Sequence, residues 1–284
     1  MSTPTTAPSP ARPAPLSLAA AARRVFELSF GEMLWSRRTI FMALVVGGPV
    51  LLAVIFRVVE AFGAPALRVN GTRVAGGSVF GVMIWMLYVR FIVPVLGLFY
   101  GTSLMADEVE DKTITYLFTR PIPRGAVLLG KYLAYLASTA LVVLPSVMLT
   151  YFLTVPFSQV PSTFRSLVLD LGILALGLAV YGAVFAFVGA RMKRPLVGGL
   201  IFAFGWEPLA LALPGYLRQF TVARHLQALV PHAMPSDGAL SLLQGFFRDT
   251  PSLPGALAWL AALTAVFLWL AMRTVTRREY VLEQ

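Results

Sequence analysis

Cysteine is absent from all 284 residues, so disulfides and thiolate metal sites are excluded and the redox compartment leaves no mark. Charge is scarce as well: Asp, Glu, Lys and Arg make up 13% of the chain, about half the roughly 25% usual in soluble domains. The two histidines, His225 and His232, stand seven apart with Pro231 between them. Helical metal pairs use three- or four-residue spacing, so no metal site is expected. No HExxH, nucleophile elbow, paired-carboxylate hydrolase signature or dinucleotide fingerprint occurs, and no catalytic residue is assigned. Acidic residues are the rarer charge, which leaves a formal net charge of +10. No soluble basic domain carries that excess, so nucleic acid is not an expected partner; basic loops of a membrane protein account for it.

What the chain has is apolar length. Hydrophobic residues make up 58% of it, and about six windows reach the roughly 20 residues that a helix needs to cross a bilayer core about 30 Å thick. The expected fold class is all-α, a polytopic membrane protein with six transmembrane helices. Residues 1–15, rich in Pro, Ala, Ser and Thr, cannot bury a core and are expected to be a disordered tail. Residues 16–38 alternate apolar side chains (Val25, Phe26, Leu28, Met33) with charged ones (Arg23, Arg24, Glu27, Arg37, Arg38) at helical spacing. That pattern predicts an amphipathic helix lying along the membrane surface. The transmembrane domain is expected over 39–272, with spans near 39–62, 80–103, 126–154, 166–190, 196–213 and 255–272. An outer loop covers 214–254, and a basic tail covers 273–284. Within the outer loop, 216–230 has helical periodicity without the length to span, and reads as an interfacial or re-entrant helix. In the fourth span Ala175, Ala179, Ala183 and Gly182, Ala186, Ala190 recur every four residues, a spacing that lets helices approach closely.

Two charged residues fall inside apolar segments and are candidates for a translocation path, because intramembrane charge is costly and usually functional. Arg90, counted back from Asp107 at 1.5 Å per residue, lies roughly 25 Å along its helix, near the opposite interface. There it either snorkels or contacts substrate. Glu207, in the sequence GWEP, is expected near the outer mouth. It is either hydrogen-bonded to a neighbouring helix or part of a transport path.

Basic residues set the orientation. Arg12, Arg23, Arg24, Arg37, Arg38, Lys112, Arg120, Arg124, Lys131, Arg191, Lys193, Arg194, Arg273, Arg277 and Arg278 flank one set of span ends, fifteen in all, against six on the other: Arg68, Arg73, Arg165, Arg218, Arg224 and Arg248. The excess predicts a multi-pass protein with both termini, and the loop between spans two and three, in the cytoplasm.

That loop, 104–124, is the longest polar interval in the first two-thirds of the chain. Asp107, Glu108, Glu110 and Asp111 suit a helix N-terminus. The apolar run TITYLF (113–118) follows, and Arg120, Pro121, Pro123 and Arg124 end the helix. A solvated loop has no use for Ile114, Tyr116, Leu117 and Phe118 in near succession; a docking element does. The adjoining GAVLLGK (125–131) matches most of a phosphate-binding loop. It has prolines before it in place of a strand, and Tyr132 where Ser or Thr would hold magnesium, so ATP binding by this chain is rejected.

At these residues the chain resembles the permease subunits of type-2 ATP-binding-cassette exporters. Their first cytoplasmic loop carries an acidic cluster, a Thr, an apolar run, a Pro-(Val/Ile)-x-Arg motif and a Gly-Lys opening the third span. The matching positions are Glu108, Glu110, Asp111, Thr113, Leu117, Pro121, Ile122, Arg124, Gly130 and Lys131. Lys112 stands where the family often has Gly. The resemblance implies that 107–124, including Phe118 and Arg120, is a coupling helix seated on a separate ATPase subunit. It implies a second cytoplasmic contact at Arg191, Lys193 and Arg194. It further implies two ATPase copies per working unit, a permease homodimer or heterodimer in the cytoplasmic membrane, and ATP and magnesium held by the partner chain, with no cofactor here. Fold analogy alone carries the motion. Rival readings are an ion-gradient secondary transporter, an accessory anchor and an intramembrane enzyme.

Overall fold

The computed structural model describes residues 17–62, 68–69, 72–73, 76–110, 123–212, 216–230 and 252–277. The tail 1–15, the centre of the coupling loop (Asp111, Thr113, Leu117, Phe118, Arg120 and Pro121 among it), His232 and Arg278 lie outside them, as do the side chains of Glu108 and Glu110. Among the described residues the chain is helical apart from one short antiparallel pair, Arg68–Val69 against Thr72–Arg73.

The first helix, α1 (Leu18–Leu34), starts where the Ser17 Oγ accepts the Ala20 N–H at 3.3 Å, a side-chain cap for an otherwise unpaired donor. It buries Ala21, Ala22 and Ser29 and turns Arg23 and Glu27 outward, paired at 3.0 Å. Its inner face lies directly on the start of a later helix: a Cβ on Gly130 would meet the Ala22 carbonyl oxygen at 2.5 Å. The expected single helix over 16–38 is broken at Trp35. The Ser36 and Thr39 hydroxyls both donate to the Met33 carbonyl, at 3.1 and 2.7 Å. Such hydroxyls compete with the helical ladder and turn the chain, so Arg37 and Arg38 open α2 (Arg37–Ala61) instead of closing α1. The α2 helix exposes Ile40, Leu44, Leu51, Ile55 and Val58, and near its far end Arg57 pairs with Glu60 at 3.2 Å, the expected three-residue pairing.

The next helix, α3 (76–110), is continuous but not uniform: π-helical stretches at Met83–Ile92 and Gly97–Gly101 flank the short α segment Val93–Leu96. Pro94 has no N–H for the carbonyl four residues back, and a widened turn is one way a helix absorbs that loss. Then come α4 (Arg124–Thr154), α5 (Val160–Arg191), α6 (195–212, with π geometry at Ile201–Trp206), a 3-10 turn at Tyr216–Phe220, the short α7 (Val222–Leu229) and α8 (Leu253–Arg277).

Five of these helices are long and apolar enough to cross a bilayer: α2, α3, α4, α5 with its leading turn, and α8. The sixth expected span, α6, is apolar but shorter. The α5 helix is the axis of the bundle, and its small residues explain why. A Cβ on Gly182 would meet Tyr135 of α4 at 2.2 Å, and one on Gly189 would meet the Thr102 carbonyl oxygen of α3 at 2.3 Å. From the α3 side, a Cβ on Gly97 would sit 2.8 Å from Tyr181, and one on Gly101 at 2.8 Å from Phe185. Helices this close are held by dispersion and by hydroxyl bridges, since lipid offers no hydrophobic drive between them. Tyr132 and Tyr135 of α4 donate to the carbonyls of Ala179 and Leu178 at 2.8 and 2.9 Å.

Candidate functional site

Glu207 begins the α-helical second half of α6, directly after the π stretch, and it is 3% exposed. A carboxylate buried in an apolar bundle must be satisfied on every side. Tyr181 of α5 donates its hydroxyl to Oε2. The Val222 N–H donates to Oε1 at 3.0 Å, and the Ala223 N–H donates as well. Arg90 of α3, whose guanidinium lies 5.8 Å from the Trp85 ring centroid, is close enough for its charge to act on both Tyr181 and Glu207.

The geometry at Val222 has a simple origin. Val222 and Ala223 are the first residues of α7, whose opening N–H groups have no intrahelical acceptor. The residue in the capping position, Thr221, spends its hydroxyl on the Arg218 carbonyl at 2.8 Å and does not cap. Glu207 supplies the missing acceptor from another helix, and its negative charge meets the positive end of the α7 dipole. The remainder of α7 is pinned in turn. The His225 ring stacks on Trp259 of α8 at 4.2 Å, nearly parallel, and takes a 3.0 Å hydrogen bond to the Thr221 carbonyl. Leu226 fills the space beside Gly177 of α5, facing Val93 of α3.

Glu207 lies twelve residues beyond Pro195, about 18 Å along α6, and Tyr181 ten residues before Arg191, about 15 Å along α5. The cluster therefore stands well inside the bundle from the Arg191 turn, and the N-terminus of α7 stands there with it. Thr102 is level with Gly189 near the end of α5, and Arg90 is twelve residues from it, about 18 Å.

The second group of expected residues gathers at the Arg191 end of the bundle. Arg38 of α2 pairs with Asp107 of α3 at 2.5 Å, and Phe41 packs on Phe99 at 4.7 Å. Arg124 opens α4 beside α8, where a Cβ on Gly125 would lie 3.9 Å from Met272. The turn holding Arg191, Lys193 and Arg194 is exposed at the same end, since Gly189 abuts Thr102. Asp107 is thus tied within the chain, and its partner Arg38 was not a sequence candidate. An ion pair this exposed is worth about 0.2–1 kcal/mol. A double-mutant cycle over Arg38→Ala and Asp107→Ala, read by thermal unfolding in detergent, is expected to give a coupling in that range; a coupling above about 2 kcal/mol contradicts it.

Two buried polar residues escaped the sequence reading. Tyr181 carries no charge and looks like any aromatic in an apolar run. Asp170 of α5, 0% exposed, gave the same signal that marked Glu207, an acid between apolar neighbours, and was readable in principle. Among the described residues no cluster of His, Cys, Asp and Glu could hold a metal ion.

A family model described as ABC-2 family transporter protein matches residues 18–280. The chain belongs to the ABC-2 transporter family. The match begins at the first residue of α1 and passes the end of α8, so both the capped helix α1 and the short α7 are part of the family region. ABC-2 permeases are the membrane component of ABC transporters, generally non-catalytic, and normally partner with an ABC ATPase subunit. This ABC-2 chain is accordingly an integral membrane permease. No curated protein matches it.

Proposed function

We propose that this ABC-2 permease is the membrane half of an exporter in the cytoplasmic membrane, with six spans and both termini inside. The α6 helix counts as the sixth span because its length, about 27 Å, approaches the bilayer core and its neighbours can thin or tilt to match. The α1 helix lies in the interface, with Arg23 and Arg24 at the level of lipid phosphates. Two copies of a separate ATPase, carrying ATP and magnesium, dock on 107–124 and on the Arg191, Lys193, Arg194 turn, and two permease chains complete the unit.

The observation that carries this reading is the convergence at one end of the bundle. Both ends of the coupling loop, the Arg191 turn and the start of α2 meet there, and that end also carries the excess of basic residues. ATPase closure pushes on the loop, and α3 and α4, which frame it, carry the displacement into the bundle. Arg90 and Glu207 act on the path through the packing of the outer half, not by touching cargo.

Leu117→Asp puts a charge on the apolar face that the docking reading assigns to the ATPase. Co-purification of ATPase activity with the tagged permease is expected to fall at least about ten-fold, the cost of burying one unpaired charge at an interface core, while membrane insertion is unchanged. Undiminished co-purification would overturn the docking site.

A further inference from the structure

We infer that Glu207 is the positioning residue of an outer gate: its carboxylate caps α7 from α6 and so holds that re-entrant helix inside the bundle, and outward opening requires the cap to be released. This rests on the exporter reading above, because only that reading makes the α7 side the outer one.

The α7 helix is eight residues long, too short to be stable by its own ladder. It exists where it does because four helices hold it. Glu207 of α6, itself held by Tyr181 of α5, fixes its N-terminus, Trp259 of α8 stacks on His225, and Gly177 of α5 and Val93 of α3 receive Leu226. The α7 helix therefore bridges all four across the outer half of the bundle and closes it. The contacts on His225 and Leu226 are apolar and tolerate sliding. The cap at Val222 and Ala223 is directional, with a fixed distance and a charge, and is lost when α6 moves against α7 by even a couple of ångströms.

The π-to-α change in α6 falls at Trp206 and Glu207. A π turn holds its hydrogen bonds less firmly than an α turn and is a place where a helix can shift register. Displacement of α6 from its Arg194 end thus arrives first at the residue that holds the gate. The Arg90 charge acts on the same carboxylate, so the released anion stays in the field of a cation.

The absence of cysteine makes the test direct. Ala223→Cys, buried at the cap, is introduced alone and probed from the outer face of right-side-out vesicles with a membrane-impermeant maleimide. Labelling of the permease alone is expected to be slow. Adding Glu207→Ala should accelerate it about ten-fold, as the loss of a charged cap predicts, whereas Glu207→Gln, which keeps an acceptor oxygen, should stay within about three-fold of the parent. Tyr181→Phe, which keeps the fold's volume, should fall between them. In the permease–ATPase complex, trapping with ATP and vanadate should accelerate labelling of the parent to the Glu207→Ala level. Equal labelling of Ala, Gln and parent forms overturns the cap. Faster labelling in Glu207→Ala with no response to vanadate overturns the gate while leaving the cap in place. Vanadate-stimulated labelling from the inner face alone overturns the orientation of the exporter, and failure of the ATPase to associate overturns the exporter reading itself. The latter two are told apart from a failed cap because the permease-alone arm needs no ATPase.

Discussion

Glu207→Leu is expected to lower the stability of the detergent-solubilised protein by about 3–5 kcal/mol, the cost of removing one partner from a buried charged cluster. Leucine fills much the same volume, so little of this is cavity. The loss comes from what the carboxylate leaves behind: the Tyr181 hydroxyl and the Val222 and Ala223 N–H groups lose an acceptor in a place where water cannot substitute, and the Arg90 charge loses a nearby anion. Tyr181→Phe removes one neutral hydroxyl from the same cluster and should cost about 1 kcal/mol. Titration with SDS in mixed micelles reads both. The ordering is the discriminating result. If Glu207→Leu is as mild as Tyr181→Phe, the carboxylate is not carrying three hydrogen bonds at once.

Gly189→Ala is the second large effect. Adding one methyl places a Cβ 2.3 Å from the Thr102 carbonyl oxygen, and the obstacle is backbone, with no flexible side chain to move aside. Either α3 and α5 separate or the helix bends, at about 1–3 kcal/mol, and Gly189→Val should cost more. Gly47→Ala on α2 is the control, because nothing lies within 4 Å of its added Cβ; helix propensity then predicts no loss and a gain of up to about 1 kcal/mol. A pair of unfolding midpoints decides it, since a merely generic glycine effect would move both the same way. Because Thr102 stands five residues before Asp107, Gly189→Ala also strains the base of the coupling loop.

Much of the bundle was legible because apolar length is additive along the sequence. The starts and ends of α4, α6 and α8 fall within a few residues of the apolar runs that predicted them, and the small-residue stripe of α5 foretold its close contacts with α3 and α4. Local competition was harder to see. Whether Ser36 extends a helix or turns it depends on where its hydroxyl goes, and it goes back to Met33. Long-range pairing left no local trace. Nothing near Val222 signals that its N–H is capped from Glu207, fifteen residues earlier, and nothing near Asp107 points to Arg38. The family resemblance, carried by the coupling loop, agreed with the family match over 18–280, although most of that loop lies outside the described residues.

The central claim is that 107–124 receives force from an ATPase on the same side as the Arg191 turn. Photo-crosslinking from single sites tests it most directly. With a photoreactive side chain at Leu117, at Lys193 or at Phe62, which is exposed at the opposite end of α2 from Arg38, the account predicts crosslinks to the ATPase subunit from Leu117 and Lys193 and none from Phe62. Crosslinks from Phe62, or their absence from Leu117 in a complex that still hydrolyses ATP, would contradict it.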